Sequence, residues 1–165
     1  MKTLIIYASK HGATKEIVHL LANNSCDIKD IIDKDIDLSS YDNVVLGSGT
    51  YAGILDKHMK EFIRVQEETL LQKKLYLFIS GLSGDSSSMD KVCAENIPAN
   101  ILSHITYKDH LGGRLNMPDM NLFEKTLIKM INKKGHFYTP EQAKNNIDIL
   151  NYERIKSFKD KLSKD

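Results

Sequence analysis

The chain has 165 residues, of which 41% are hydrophobic and 27% charged, with a formal net charge of +1 from 23 basic and 22 acidic side chains. That length suits one domain able to bury roughly two-thirds of the surface its unfolded form would expose. Neutral balance and interleaved charges exclude the basic face of a nucleic-acid binder, and no apolar run approaches the roughly 18 residues of a membrane span.

The opening Thr3-Leu4-Ile5-Ile6-Tyr7-Ala8 is almost continuously apolar and passes at once into polar Ser9-Lys10-His11, which suits a buried strand better than a signal peptide. A helix follows in which Thr14, Ile17 and Leu21 share a face, with Val18 and Leu20 beside it, up to the Asn23-Asn24 stop. Cys26 to Ile32 reads as a short, charged edge strand. Val44-Val45-Leu46 is the next buried strand, and Leu55, Met59, Phe62 and Ile63 recur at helical spacing after it.

Leu75 to Ile79 is a third apolar strand. A helix around Asp90 to Asn96, interrupted by Pro98, leads to an edge strand through Ile105 and Tyr107 that extends toward Leu111. Two further helical stripes close the chain: Phe123-Leu127-Met130-Ile131, near 121–133, and Ile155-Phe158-Leu162, with Asn151 as N-cap. The first of these suits a core-facing helix or, less commonly at such spacing, a quinone or membrane contact. No repeat or linker divides the sequence, so residues 1–165 are expected to form a single α/β domain. Its expected sheet is open, parallel and five-stranded, with helices on both faces.

Cys26 and Cys93 stand far apart, outside any C-x-x-C pair, which argues against a zinc site or disulfide scaffold and for the cytoplasm. No metal-ligand spacing is present. Three polar, glycine-containing segments are expected at the carboxyl ends of the central strands: Ser9 to Thr14, Gly47 to Gly53 and Ser80 to Ser88. Ser9-Lys10-His11-Gly12-Ala13-Thr14 leads into a helix N-terminus, where unpaired amides and the helix dipole attract an anion, with phosphate the natural guest. From this segment alone, anion binding and simple capping by Thr14 are equally good readings. The sequence lacks both G-x-x-x-x-G-K-[ST] and G-x-G-x-x-G, which disfavours a nucleotide P-loop and a dinucleotide fold.

Asp37 to Gly53, D-L-S-S-Y-D-N-V-V-L-G-S-G-T-Y-A-G, resembles the flavodoxin family's Y-D-x-hydrophobic-hydrophobic-x-G-S-x-x-aromatic-x-G string. S-x-H-G-A-T resembles the same family's T-x-T-G-x-T phosphate loop. The resemblance implies a three-layer flavodoxin-like fold with strand order 2-1-3-4-5 and FMN as cofactor. It places the FMN phosphate on Ser9, Lys10, His11, Gly12, Ala13 and Thr14. Gly49, Thr50, Tyr51, Ala52 and Gly53 would border the isoalloxazine, with Tyr51 at the stacking position. Ser80, Gly81, Leu82, Ser83, Gly84 and Asp85 would meet its pyrimidine edge.

Leu82 stands where many flavodoxins carry an aromatic, so a less completely sandwiched flavin is expected. Asp85 beside the ring would disfavour an anionic reduced flavin, although a solvated loop aspartate is an equal reading. Lys10 and His11 depart from the family's uncharged phosphate groups. A protonated His11 would give a charge-assisted contact, the competing reading being a solvent-facing imidazole.

The resemblance implies a redox protein whose flavin carries the electrons and which needs no catalytic side chain. Its partners would be redox proteins or a quinone. His110 to Lys133, H-L-G-G-R-L-N-M-P-D-M-N-L-F-E-K-T-L-I-K-M-I-N-K, is similar to the segment after the last strand of menaquinone-dependent protoporphyrinogen dehydrogenases, enzymes of haem biosynthesis. That likeness implies the alternative of such an enzyme with a peripheral membrane contact, while the family's basic insertion has no counterpart in polar Gly81 to Ser103.

Overall fold

Leucine, isoleucine and valine alternate between two buried layers in the computed structural model, which describes residues 1–33, 35–82, 86–144 and 146–164. Strand β1 (Thr3–Ala8) is followed by helix α1 (Ala13–Leu21), then β2 (Cys26–Asp30), β3 (Asn43–Tyr51) and β4 (Ile54–Leu55). Helices α2 (Lys57–Val65) and α3 (Glu67–Leu70) lead to β5 (Lys74–Ser80), and α4 (Ser86–Asn96) and α5 (Ala99–His104) to β6 (Ile105–His110). The last part holds β7 (Arg114–Asn116), α6 (Leu122–Gly135), β8 (Asn146–Asp148) and α7 (Tyr152–Lys164).

The main sheet runs β2-β1-β3-β5-β6 with every neighbouring pair parallel, and β4 pairs antiparallel with β3 alone. Counted without β4, this is the expected 2-1-3-4-5 order of five parallel strands. Because successive side chains leave a strand on opposite faces, the residues of β1 divide between two cores. Leu4, Ile6 and Ala8 join Met59, Ile63, Cys93 and Ile101 under α2, α4 and α5. Ile5 and Tyr7 join Ile17, Val18, Leu21, Ile155 and Phe158 under α1 and α7.

Several expectations change in detail. Leu20 is 37% exposed and stands off the core. The helix placed at Asp90 begins at Ser86, and Pro98 separates it from α5, whose N-cap it forms. Asn151 does cap α7, accepting from Arg154 N at 3.0 Å.

The segment Gly47 to Gly53, expected as a loop, is largely strand. β3 pairs with β1 through Ser48 and with β5 through Gly49, then continues to Tyr51 and turns back into β4. Ala52 and Gly53 make that turn with φ of 50° and 81°, the two left-handed residues of a type I′ hairpin. Asn96 of α4 holds it from outside: its Nδ2 donates to Gly53 O at 2.9 Å, and its Oδ1 accepts from Leu55 N at 3.2 Å.

The stripe of α6 also faces differently. Leu122, Phe123 and Met130 are 84%, 76% and 59% exposed, while Glu124 and Ile128 are buried. Ile128 packs with Leu82, Met117, Met120, Tyr138 and Ile147 in a third, separate core over the small β7-β8 sheet. This layer is set beside the carboxyl ends of the main strands, where it closes the site described next.

Candidate functional site

At the carboxyl ends of β1, β3 and β5 a cavity of about 640 Å³ is lined by Ser9, Lys10, His11, Ala13 and Thr14, by Gly49 to Gly53, and by Ser80, Gly81 and Leu82. The three sequence-predicted walls therefore meet at one place. Among the expected residues, Gly12 lies in the first loop without lining the cavity, and Ser83, Gly84 and Asp85 fall outside the described residues.

The first loop is shaped by Ser9 and Gly12. Ser9 Oγ accepts from Gly12 N at 3.2 Å and from Lys15 N at 3.4 Å, folding the loop under the start of α1. Gly12 takes φ 88° at the N-cap, a conformation that suits a residue without Cβ. The N-cap position is Gly12, which has no side chain to cap with, so Thr14 is not the cap. The first amides of a helix have no intrahelical partner, and those of Ala13 and Thr14 stand beside the cavity.

Thr14 is buried, and its Oγ1 lies 2.8 Å from Ser80 Oγ across the ends of β1 and β5. Either hydroxyl can donate; when Ser80 does, the Thr14 proton is left for an anion. Thr50 Oγ1 donates to Ser80 O at 3.3 Å. A Cβ on Gly81 would stand 2.4 Å from that same Thr50 Oγ1, so the second and third walls touch only because Gly81 has no side chain.

Lys10 and His11 both lie against the ring of Tyr51. The His11 and Tyr51 ring centroids are 5.6 Å apart at 46°, and Lys10 Nζ lies 5.1 Å from the centre of the Tyr51 ring. Burial pushes the Tyr51 hydroxyl up to about 12, with the charge of Glu124 adding to the effect. That hydroxyl is buried and has no hydrogen-bond partner among the described residues.

His11 departs from both sequence readings. Its side chain is 19% exposed, so it does not face solvent, and burial lowers its pKa below 6.5, an effect to which Lys10 adds and which Glu124 opposes. The imidazole is therefore neutral at pH 7 in the flavin-free chain, rather than protonated.

The fourth wall, which sequence reasoning missed, comes from the layer beyond β6: Gly113, Arg114, Leu115, Ile128, Ile131, Gly135 and Phe137. Glu124 of α6 reaches from this layer to the first loop. Its Oε1 lies 2.5 Å from Lys10 Nζ and 3.5 Å from His11 Nε2, and its Oε2 accepts from Asn121 N at 3.2 Å. Glu124 N donates to Asn121 Oδ1 at 2.9 Å, completing a capping box. The Lys10 bond and the Asn121 amide hold the carboxyl below the ordinary glutamate value.

Arg114 Nε and Nη2 contact Asp148 Oδ2 at 3.0 and 2.5 Å, and Nη1 pairs with Glu16 of α1. Arg114 thus ties the β7-β8 sheet to the helix behind the first loop. The N-x-x-E spacing of Asn121 and Glu124 was a legible capping signal. Nothing local revealed that the same carboxylate crosses to Lys10.

An aromatic ring of Tyr51, apolar Leu82, Leu115, Ile128, Ile131 and Phe137, and an amide-rich loop at one end suit a flat, amphipathic ligand ending in an anion. Among the described residues there is no cluster of His, Cys, Asp or Glu able to hold a metal ion. No helix among them is long and apolar enough to cross a membrane.

The sequence model of the flavodoxin domain family matches residues 4–155. The flavodoxin-like domain-containing protein BilS of Clostridioides difficile (strain CD3) is 37% identical over 84 residues, which are 47% of this chain and 46% of that protein. The chain thus matches about half the length of that curated relative.

Among solved structures, the flavodoxin of Streptococcus pneumonia TIGR4 superposes with a TM-score of 0.53 at 18% identity, over 99% of this chain and 98% of its own. The two-electron reduced flavodoxin of Megasphaera elsdenii gives 0.51 at 21% identity, over 67% and 82%. At these identities the likeness is one of fold.

Proposed function

The chain belongs to the flavodoxin domain family, and we propose that residues 1–165 form one FMN-binding unit that serves as a cytoplasmic electron carrier. The observation that carries this reading is the cavity where the α1 loop, the β3-β4 hairpin and the end of β5 converge, with the amide-rich start of α1 at one end and the Tyr51 ring on its wall.

Ser9 shapes the phosphate seat, and the amides of Ala13 and Thr14 face it with the positive end of α1. Lys10 and His11 lie at its side. Tyr51 presents an aromatic face to the ring, Gly49 to Gly53 border it, and Ser80, Gly81 and Leu82 supply the opposite edge. Leu115, Ile128, Ile131 and Phe137 exclude water from the far side, which the sequence-predicted walls alone would have left open. Bound FMN supplies one- and two-electron transfer, and the protein tunes it through hydrogen bonds and nearby charge. Two free cysteines, neither paired with the other, fit a reducing compartment.

Titration of the purified protein with FMN tests the reading. We expect saturation at about one FMN per chain, quenched flavin fluorescence, and reduction of the complex by a flavodoxin reductase. Failure to bind FMN would sink it.

A second reading is favoured by the exposure of Leu122, Phe123 and Met130 on α6, the helix that lines the cavity with Ile128 and Ile131. Lys125, Lys129 and Lys133 lie on the same helix, which suits an apolar and anionic boundary such as a membrane surface. This arrangement is what a menaquinone-dependent protoporphyrinogen dehydrogenase-like enzyme would use to meet its quinone. Quinone-dependent oxidation of protoporphyrinogen IX by the FMN-loaded protein would establish that enzyme, and its absence together with rapid reductase turnover would establish the carrier.

A further inference from the structure

Glu124 is an anion built into a site read as one for an anion. It is 7% exposed and belongs to the helix that closes the cavity, 114 residues along the chain from Lys10, which it contacts at 2.5 Å. Its other neighbour in the loop is His11 Nε2 at 3.5 Å. These are the two side chains by which the first loop departs from the uncharged pattern of the family it resembles. The carboxylate meets them through their side chains, leaving the backbone cradle at Ala13 and Thr14 to other ligands.

We propose that Glu124 is a resident competitor for the FMN phosphate: carboxylate and phosphate share Lys10 and His11, so phosphate binding releases the first turns of α6. This rests on the FMN reading of the site. A phosphate monoester carries about −1.5 to −2 charges at pH 7, and two anions beside the single cation of Lys10 repel one another. Without flavin, the Lys10-Glu124 contact ties α6 to the first loop at the edge of the cavity that Tyr51 and the apolar wall line. With flavin, the ring covers the wall itself, and the tie of α6 to the loop is no longer needed. Coupling of this kind is reciprocal: whatever phosphate does to the α6 contact, the contact does to phosphate affinity.

Glu124→Gln is an apt probe because glutamine keeps the capping box with Asn121 while removing the charge. FMN and riboflavin, which differ in the phosphate alone, are titrated against wild type and variant at low ionic strength. The variant is expected to bind FMN at least about threefold more tightly, with riboflavin affinity changed by less than about 1.5-fold, as fits competition from one partly exposed ion pair. In wild type, FMN but not riboflavin is expected to speed amide exchange over residues 122–128, an effect that a general change in field would not produce.

Equal or weaker FMN binding by the variant overturns the proposal, as does exchange in 122–128 that both flavins slow alike. The wild-type exchange arm decides the matter even if Glu124→Gln fails to fold. If neither flavin binds either protein, the flavin reading fails, and inorganic phosphate becomes the probe: faster exchange in 122–128 supports the competition, and unchanged exchange overturns it.

Discussion

The hydroxyls of Thr14 and Ser80 meet at 2.8 Å with both residues buried, joining the first turn of α1 to the last residue of β5. β3 lies between β1 and β5, and the contact passes above it beside Gly49, whose added Cβ would be 3.4 Å from Thr14 Oγ1 and 3.9 Å from Ser80 Oγ. The residue read from sequence as a phosphate donor is thus also a strut between the walls of the site.

Thr14→Val keeps the shape and removes the oxygen, leaving the Ser80 hydroxyl buried without this partner. An unfolding free energy lower by about 1–2 kcal/mol is expected from urea denaturation. Thr14→Ser should restore most of it. A Thr14→Val protein as stable as wild type would show that Ser80 finds another partner.

Ala52 occupies φ 50° beside Gly53 at 81° in the β3-β4 hairpin. The first position of a type I′ turn favours asparagine or glycine, and alanine pays there for a left-handed backbone. Ala52→Asn, which creates the favoured Asn-Gly pair, is expected to raise stability by roughly 0.5–1 kcal/mol. The thermal midpoint checks this, and an unchanged or lower midpoint would count against strain at Ala52.

Much of this architecture was legible because buried parallel strands write themselves as unbroken apolar runs. Thr3 to Ala8, Val44 to Leu46 and Leu75 to Ile79 are such runs, and each lies within a strand. Reading Gly47 to Gly53 as a loop failed because glycine and serine carry no strand signal. Gly47 is held in β3 by pairing on both sides, and a Cβ there would fall 2.2 Å from the Phe78 ring.

The α6 stripe misled for another reason. Periodicity names an apolar face but not what lies against it, and the face that is buried centres on Glu124 and Ile128. β7 and β8 have three residues each and pair across some 30 positions. Such short, distant strands leave no periodic trace, so the fourth wall of the cavity could not be read in advance.

The two thiols should separate chemically. Burial pushes the Cys93 thiol up to about 11, and the residue is inaccessible in the core beside Met89 and Ile97. Cys26 is half-buried on the edge strand β2. Since the thiolate is the reactive form, a disulfide reagent at pH 8 is expected to titrate one thiol in the native protein and the second only on unfolding. Rapid reaction of both would show that the α4 side of the core opens readily.

Acid should weaken the fold in two stages. In the folded chain the His11 proton affinity is depressed below 6.5, chiefly by burial, with Lys10, Glu124 and the Tyr51 ring as its neighbours. The unfolded chain therefore binds the extra proton first, so stability falls as pH drops below about 6.5 and through the lower folded value. Glu124, held below 4.5 chiefly by Lys10, contributes stability present above about 4.5 and lost as pH falls through its own folded value. Urea midpoints between pH 7.5 and 3.5 should show both slopes, and His11→Gln should flatten the upper one alone.

Tyr51→Phe separates the needs of the flavin-free fold from those of the ligand. The hydroxyl it removes is buried and without a partner among the described residues, so the variant should be as stable as wild type or more so, by up to about 1 kcal/mol. If a polar edge of FMN supplies the missing partner, the same variant should bind FMN roughly three- to tenfold more weakly, one hydrogen bond's worth. Riboflavin should lose a similar factor, because the contact is to the ring and not to the phosphate. Full affinity for both flavins would mean that Tyr51 serves the ring through its aromatic face alone, and lower stability without flavin would mean that its hydroxyl already has a partner in solution.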